Sequence, residues 1–500
     1  MIRSFAFAFF LFVFYSLTAG ATLHVGTGQP FPDLPAAINA VQPGDTIEIH
    51  GGTYPGGLYF ANVKGTAGQW ITIRNTPGET VIFEGGNNAI QLSDPAYLHI
   101  RGIVIQHQTG NGFNTDDGGS YDTPAHHIIF ENCIFRDMSA TGNNDLLKLS
   151  GLDFFEVRNC LLQNGAAGGS GIDMVGCHHG VIQGNTFVNM GSNAIQCKGG
   201  SEWVRIEGNF FKDCGQRTLN LGGSTGLAFF RPDTAHFEAA NLQVYSNIIV
   251  GSWAAVAYVG SVNVEVVNNT IYQPENWVIR ILQETVDPDR FLACGNNAFR
   301  NNIVYIGNLP TETNVGPNTA PTTFVFSNNL WYNADNANWG GPDIPVNEAN
   351  GIVNQDPQFA DADNGDFSIP PGSPAAGAGI SLGEPVFDYF SQMFAQPPSI
   401  GAVEAAPVSS SDDISIVLSS VWLYPNPGND VLQIEYLLEE TAEIRIELTD
   451  GTGRQVRVLF SDTQSVGKQF LTLYPGVPAG VYWLRILAGK QAALYKWVRM

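Results

Sequence analysis

A row of polar and ionisable residues recurs in the middle of the chain: Lys148, Asp173, Gln196, Asn220, Ala257 and Arg280. Each is the second residue of a short segment. The first three are Leu147-Lys148-Leu149-Ser150-Gly151, Ile172-Asp173-Met174-Val175-Gly176 and Ile195-Gln196-Cys197-Lys198-Gly199. They continue as Leu219-Asn220-Leu221-Gly222-Gly223, Val256-Ala257-Tyr258-Val259-Gly260 and Ile279-Arg280-Ile281-Leu282-Gln283. First and third residues are nearly all apolar, so strand alternation turns them, Cys197 and Tyr258 included, to a core and the second residues outward. Ser150 and Lys198 share that outward face from the fourth position, while Asp145, Arg217 and Glu284 flank the segments.

Cations and carboxylates on one rigid face suit an acidic glycan. Elimination from a uronate needs a cation to neutralise the carboxylate, a base for the α-proton and an acid for the leaving oxygen. Lys148 or Lys198 is the candidate base, provided that neighbouring cations and partial burial lower its pKa. Arg217 or Arg280 can hold the carboxylate bidentately. Asp145, Asp173 and Glu284 offer instead the two carboxylates of a glycoside hydrolase, with Gln196 and Asn220 as binding groups. Lys148 beside Asp173 reads equally as a structural ion pair, and the whole face as a non-catalytic glycan surface or solvated scaffold. The loop Gly223 to Pro232 extends one repeat, making Arg231, Phe229 and Phe230 candidate groove walls. His178-His179, near Asp173, reads as a turn pair.

The elements that would position these groups show in a second recurring pattern. Asn132-Cys133-Ile134-Phe135, Asn159-Cys160-Leu161-Leu162, Gly184-Asn185-Thr186-Phe187 and Gly208-Asn209-Phe210-Phe211 belong to it, as do later copies ending at Asn328-Asn329-Leu330-Trp331. Aligned on the second residue, positions 133, 160, 185, 209, 247, 269, 302 and 329 are 27, 25, 24, 38, 22, 33 and 27 apart. A period mostly in the twenties with short β-branched and aromatic runs is that of a solenoid. The expected fold is all-β: a right-handed parallel β-helix solenoid, followed by a small C-terminal β-sandwich. Successive coils lie about 4.8 Å apart, so an Asn column can hydrogen-bond along the stack. Five coils give a face roughly 20–25 Å long, room for several sugar units. Phe31 to Val41 reads as a short amphipathic helix covering the open end.

Composition bounds the function. The 500 residues carry 23 Lys+Arg against 46 Asp+Glu, a net charge of −23, which argues against nucleic acid as a partner. The balance is local: of the 14 Lys/Arg between residues 22 and 404, 10 lie within 148–300. Residues 1–21 read as a secretion signal, with Arg3, an apolar run from Phe5 to Leu17 and Ala19-Gly20-Ala21 as cleavage site. No later apolar stretch is long enough to span a membrane. The division that follows is a solenoid over 22–404, a linker over 405–420 and a β domain over 421–500. The chain is expected to act as a monomer. Cys133 and Cys160 read as small buried members of the column rather than a disulfide, and no Cys/His spacing suggests zinc. Asp116, Asp117 and Asp122, and again Asp361, Asp363 and Asp366, form acidic loops. Calcium is the cofactor their oxygens would suit, though solvated loops are favoured.

Residues 421–500 resemble the type IX secretion C-terminal sorting domain of Bacteroidota, through Tyr424-Pro425-Asn426-Pro427, Asp450-Gly451-Thr452-Gly453, Ala479-Gly480-Val481-Tyr482 and a basic last strand with Lys496 and Arg499. This implies the type IX secretion machinery as a partner, and release or surface attachment outside the cell. Residues 22–404 resemble the pectate-lyase-like right-handed β-helix superfamily, through Gln42-Pro43-Gly44-Asp45-Thr46-Ile47, Gly52-Thr53-Tyr54 and the tail from Asn364-Gly365-Asp366-Phe367 to Ala378-Gly379. That superfamily includes polysaccharide lyases, glycoside hydrolases, epimerases and phage adhesins, so the resemblance fixes fold better than function. The paired-Asp and Gly-His-Gly pattern of polygalacturonases is absent, and the calcium-binding carboxylates of pectate lyases find no counterpart. The resulting expectation is an exported protein acting on an anionic polysaccharide, as a lyase first.

Overall fold

The computed structural model describes residues 20–120, 122–405, 418–424, 431–450, 455–478, 480–488 and 491–499. The segment read as a signal falls outside them up to residue 19, as does most of the proposed linker. Among the described residues the coils of the solenoid supply short strands to three parallel sheets of 15, 12 and 10 strands, the first gaining the extra pieces Ser201–Glu202, Ala239–Ala240 and Ser261–Val262. The first runs from Thr22–Val25 to Val325–Ser327, the second from Gly52–Pro55 to Ile352–Val353 and the third from Leu58–Ala61 to Thr313–Val315. A helix at Leu34–Ile38 packs on the first strands, burying Leu34 and Ala37, and its N-cap Asp33 accepts from the Ala36 amide at 2.9 Å.

The paired residues of the repeat do two jobs at the corner between first and second sheets. The leading residue takes a left-handed conformation: φ is 52° at Asn132, 54° at Asn159, 66° at Gly184, 60° at Gly208 and 53° at Asn268. Asn and Gly tolerate that region best. The following residue is buried and joins a column. Cys160 N donates to Asn185 Oδ1 at 2.8 Å, and the pattern continues through Asn209, Asn247, Asn269, Asn302 and Asn329 to Glu348. Each Asn thus satisfies its own amide group and the backbone of the coil below.

Asn269 accepts from Asn247 N and Nδ2, both at 2.9 Å, and donates to Asn302 Oδ1 and Val244 O, both at 3.0 Å. Asn269→Ala is expected to cost about 3 kcal/mol, because it strands buried donors and acceptors on both neighbouring coils. Chemical denaturation with an unchanged m-value would report it; a loss below about 0.5 kcal/mol would remove the column's role.

All six cysteines are free and buried. Burial pushes the Cys177 thiol up to about 12 and that of Cys294 up to about 11. Beyond the solenoid, an antiparallel three-stranded sheet and an antiparallel four-stranded sheet share one apolar core, with Leu432, Ile434 and Tyr436 meeting Ile444, Ile446, Leu484 and Trp497. That is the small sandwich the alternation predicts. No helix among the described residues is long and apolar enough to cross a membrane.

Candidate functional site

The third sheet sets the row in register. Asn114, Lys148, Asp173, Gln196, Asn220, Ala257, Arg280 and Asn314 are successive Cα partners. Their neighbours Leu149, Met174, Cys197, Leu221, Tyr258 and Ile281 point into the solenoid core. The outward groups do not form one continuous strip. They separate into two clusters.

The first cluster gathers Asp145, Lys148, Asp173, Gln196 and Lys198. Lys148 Nζ donates to Asp173 Oδ2 and lies 3.6 Å from Asp145 Oδ2. Lys198 Nζ lies 3.4 Å from Asp173 Oδ1 and 3.2 Å from Gln196 Oε1. Gly223 leaves the room these side chains use, since a Cβ there would come within 2.8 Å of Gln196 Nε2. Asp145 and Asp173 are 2% and 0% exposed, so the lysines, not the carboxylates, meet solvent. Burial alone would lower the Lys148 pKa, but Asp173 and Asp145 outweigh it and hold the ammonium above its usual value. The condition for Lys148 to act as a base is therefore not met: its neighbours are anions, not cations.

Asp145 behaves oppositely. Burial, then repulsion from Asp173, pushes it up to about 6, against Lys148, the Ser170 amide and Lys198. An unfolded aspartate titrates at about 3.9. The stability from this shift is complete below that value and is lost as pH rises through about 6. Protonation on the way down also removes one negative charge from beneath the two lysines. Affinity for an anionic oligosaccharide is thus expected to rise between about pH 7.5 and about pH 5.5, and Asp145→Asn to flatten that profile. An unchanged profile in the variant would refute the assignment.

The second cluster gathers Arg217, Asn220, Arg280 and Glu284 with two tryptophans that the row pattern missed. Arg217 Nη2 donates to Glu284 Oε1 at 2.6 Å and Nη1 to Asn220 Oδ1 at 3.2 Å. Arg280 Nε donates to Asn314 Oδ1 at 3.2 Å, and its guanidinium lies 4.5 Å from the centre of the Trp277 ring. Among the described residues Arg280 forms no ion pair. Burial, then the nearby Arg217 charge, lowers its pKa, with Glu284 opposing. Trp253 is exposed and meets Trp277 edge-on at 6.1 Å. The only signal for Trp277 in the sequence is its place two residues before Ile279, on the strand that carries Arg280.

Arg231 lies elsewhere. It is 6% exposed, and its Nη1 donates to Asp153 Oδ1 at 2.8 Å and Gly176 O at 3.0 Å. The insertion anchors Arg231 inward rather than lining a groove with it: Phe230 is buried against Phe291, while Leu227 and Phe229 stay exposed. A long arginine that finds a half-buried carboxylate on another strand is invisible to a local reading of its loop. His178 Nδ1 meets the same Asp153 at 2.9 Å, while His179 stacks on Phe154 at 5.0 Å; both belong to the first sheet. The acidic loops spend their oxygens internally: Asp116 accepts from Ser93, Gln91 and the Gly118 amide, and Asp361 from Asn364. A groove of about 440 Å³ on the first sheet, lined by Trp203, Gln243, Glu265 and Arg300, is a less cationic rival, because Arg300 there faces Glu265 at 3.9 Å.

Comparison with known proteins fits this architecture. Residues 88–271 match the right-handed β-helix region family and residues 422–499 the secretion system C-terminal sorting domain family. The fold is similar to that of pectate lyase Pel9A, with a TM-score of 0.53 and 14% identity, covering 78% of this chain and 97% of that one. An alginate lyase from a Paenibacillus species matches at 18% identity and TM-score 0.38, over 67% of this chain and 99% of its own. The PL6 family alginate lyase AlyGC matches at 15% identity and TM-score 0.38, over 78% of this chain and 60% of its own. No curated protein matches the sequence.

Proposed function

We propose that this chain, a right-handed β-helix protein carrying a secretion-system C-terminal sorting domain, is exported and acts on an acidic polysaccharide along the outward face of its third sheet, as a lyase. The observation that carries this reading is Arg280: a guanidinium without a carboxylate partner among the described residues, stacked on Trp277 and next to a second arginine. Such a pairing fits a uronate, whose ring face lies on an indole while its carboxylate takes the guanidinium fork.

The roles follow from which groups are free to change partner. Arg280 neutralises the carboxylate and so acidifies the α-proton. Glu284, partly exposed and held at 2.6 Å by Arg217, is the proton acceptor within that cluster: it takes the α-proton as the bond to the leaving oxygen breaks and the double bond forms, and solvent water protonates that oxygen. Arg217 acts as its positioning residue. Lys198 and Arg280 stand on coils three spacings apart, about 14 Å along the stack, so they serve different sugars of one chain. Lys148 and Lys198 then hold a further carboxylate of the polymer. Of the three carboxylates from which hydrolysis on this face would draw its pair, Asp145 and Asp173 are covered by Lys148, which leaves Glu284 without a second.

The test is product analysis on alginate, pectate, glycosaminoglycan and ulvan. The expected result is ultraviolet absorbance from an unsaturated uronate end on at least one of them, abolished by Glu284→Gln. New reducing ends without that absorbance would replace elimination by hydrolysis. Saturable binding with neither product would leave a glycan-binding protein.

A further inference from the structure

The first strands of the solenoid carry a group of metal-ligating side chains far in sequence from the row on the third sheet. His24 and Glu48 are Cα partners on neighbouring strands of the first sheet, and His50 follows Glu48 by two residues. Alternation therefore turns all three to the same outward face. His50 Nε2 lies 3.3 Å from His24 Nδ1, and His24 Nδ1 lies 3.6 Å from Glu48 Oε1. One ligand atom from each residue falls within 4.8 Å of the others.

These separations are those of ligands around one ion. Donors about 2.0–2.1 Å from a tetrahedral zinc stand about 3.3–3.4 Å from each other. The surroundings complete the arrangement. Glu79 Oε2 lies 3.7 Å from His50 Nδ1, so the nitrogen turned away from the site faces a carboxylate that favours its N–H. Arg74 donates from Nε at 3.1 Å and Nη2 at 2.7 Å to Glu48 Oε2, which leaves Oε1 for the site. Hydrogen-bonded ligands of this kind are held in one orientation and one tautomer. With neutral imidazoles, Glu48, Glu79 and Arg74 sum to one negative charge before any ion enters. Among the described residues no other group of three His, Cys, Asp or Glu side chains converges this closely.

We infer that His24, Glu48 and His50 bind a zinc-class divalent ion that ties the first two strands of the first sheet together at the open end of the solenoid. Two imidazoles and one carboxylate are borderline donors, matched to zinc rather than to calcium. The fourth position is left to solvent. An ion shared by the edge strand Thr22–Val25 and its neighbour Thr46–Ile49 opposes fraying at that edge of the sheet.

The experiment is a titration of untagged mature protein, stripped with a chelator, with zinc chloride at about pH 7.5. About one zinc per chain is expected to bind and to raise Tm by about 3 °C. His24→Gln/His50→Gln is expected to lose that stoichiometric binding and the Tm rise. Equal binding by the double variant, or no binding by the wild type, would overturn the inference. Zinc-edge X-ray absorption of the wild type decides the case even where the variant does not fold: imidazole scattering supports the site, and an all-oxygen shell overturns it.

Discussion

Arg280→Ala is expected to lower kcat/KM on a uronate polymer by about 100-fold. The guanidinium meets charge that grows as the α-proton leaves, so the loss falls on kcat as well as on KM. The magnitude follows from position. Arg280 spends only its Nε, on the neutral Asn314, so both Nη groups are available, whereas Arg217 already holds Glu284 and Asn220. Arg280→Lys is expected to recover only part of the loss, since an ammonium lacks the planar fork and stacks less well on Trp277. Steady-state kinetics would show this. A purely structural role predicts a lower Tm with unchanged kcat/KM in the folded fraction, and that outcome would remove Arg280 from the chemistry.

Lys148→Met is expected to be the most destabilising single change on the face, by about 3 kcal/mol. It leaves Asp145 and Asp173 buried and facing each other without their shared cation. The companion Asp173→Asn is expected to restore much of the loss, because the remaining repulsion disappears. The double-variant cycle, read by denaturant unfolding, separates this from a simple loss of side-chain packing. If the two changes add without interaction, the Lys148–Asp173 pair contributes nothing to folding. Activity in the folded Lys148→Met protein is expected to weaken through KM, since the proposed function has Lys148 hold a sugar away from the reacting bond.

The row itself was legible because strand parity has a period of two and each segment ends near a turn. Apolar residues at positions one and three then fix which side chains leave the core, and the register from Lys148 to Arg280 follows. The Asn column was legible for a similar reason: a buried amide repeats only where coils stack. The partition of the face into two clusters was not, because it depends on how far Arg217 reaches toward Glu284 across coils. Nor was the raised pKa of Lys148, since its sign depends on whether its neighbours are anions or cations. Arg231 misled because its partner, Asp153, stands 78 residues away. The histidines at the open end carry a weak signal, Glu48-Ile49-His50 at strand spacing, which gains meaning only when His24 is placed beside Glu48.

The measurement that tests the central claim most directly is a calorimetric titration of an acidic oligosaccharide into the wild type, Arg280→Ala and Lys212→Ala. Lys212 is exposed on the second sheet and serves as a cation control. The account predicts saturable binding by the wild type and Lys212→Ala, and a loss of at least about 10-fold in Arg280→Ala. Equal affinity in all three proteins would place the glycan elsewhere on the molecule and contradict the third-sheet site.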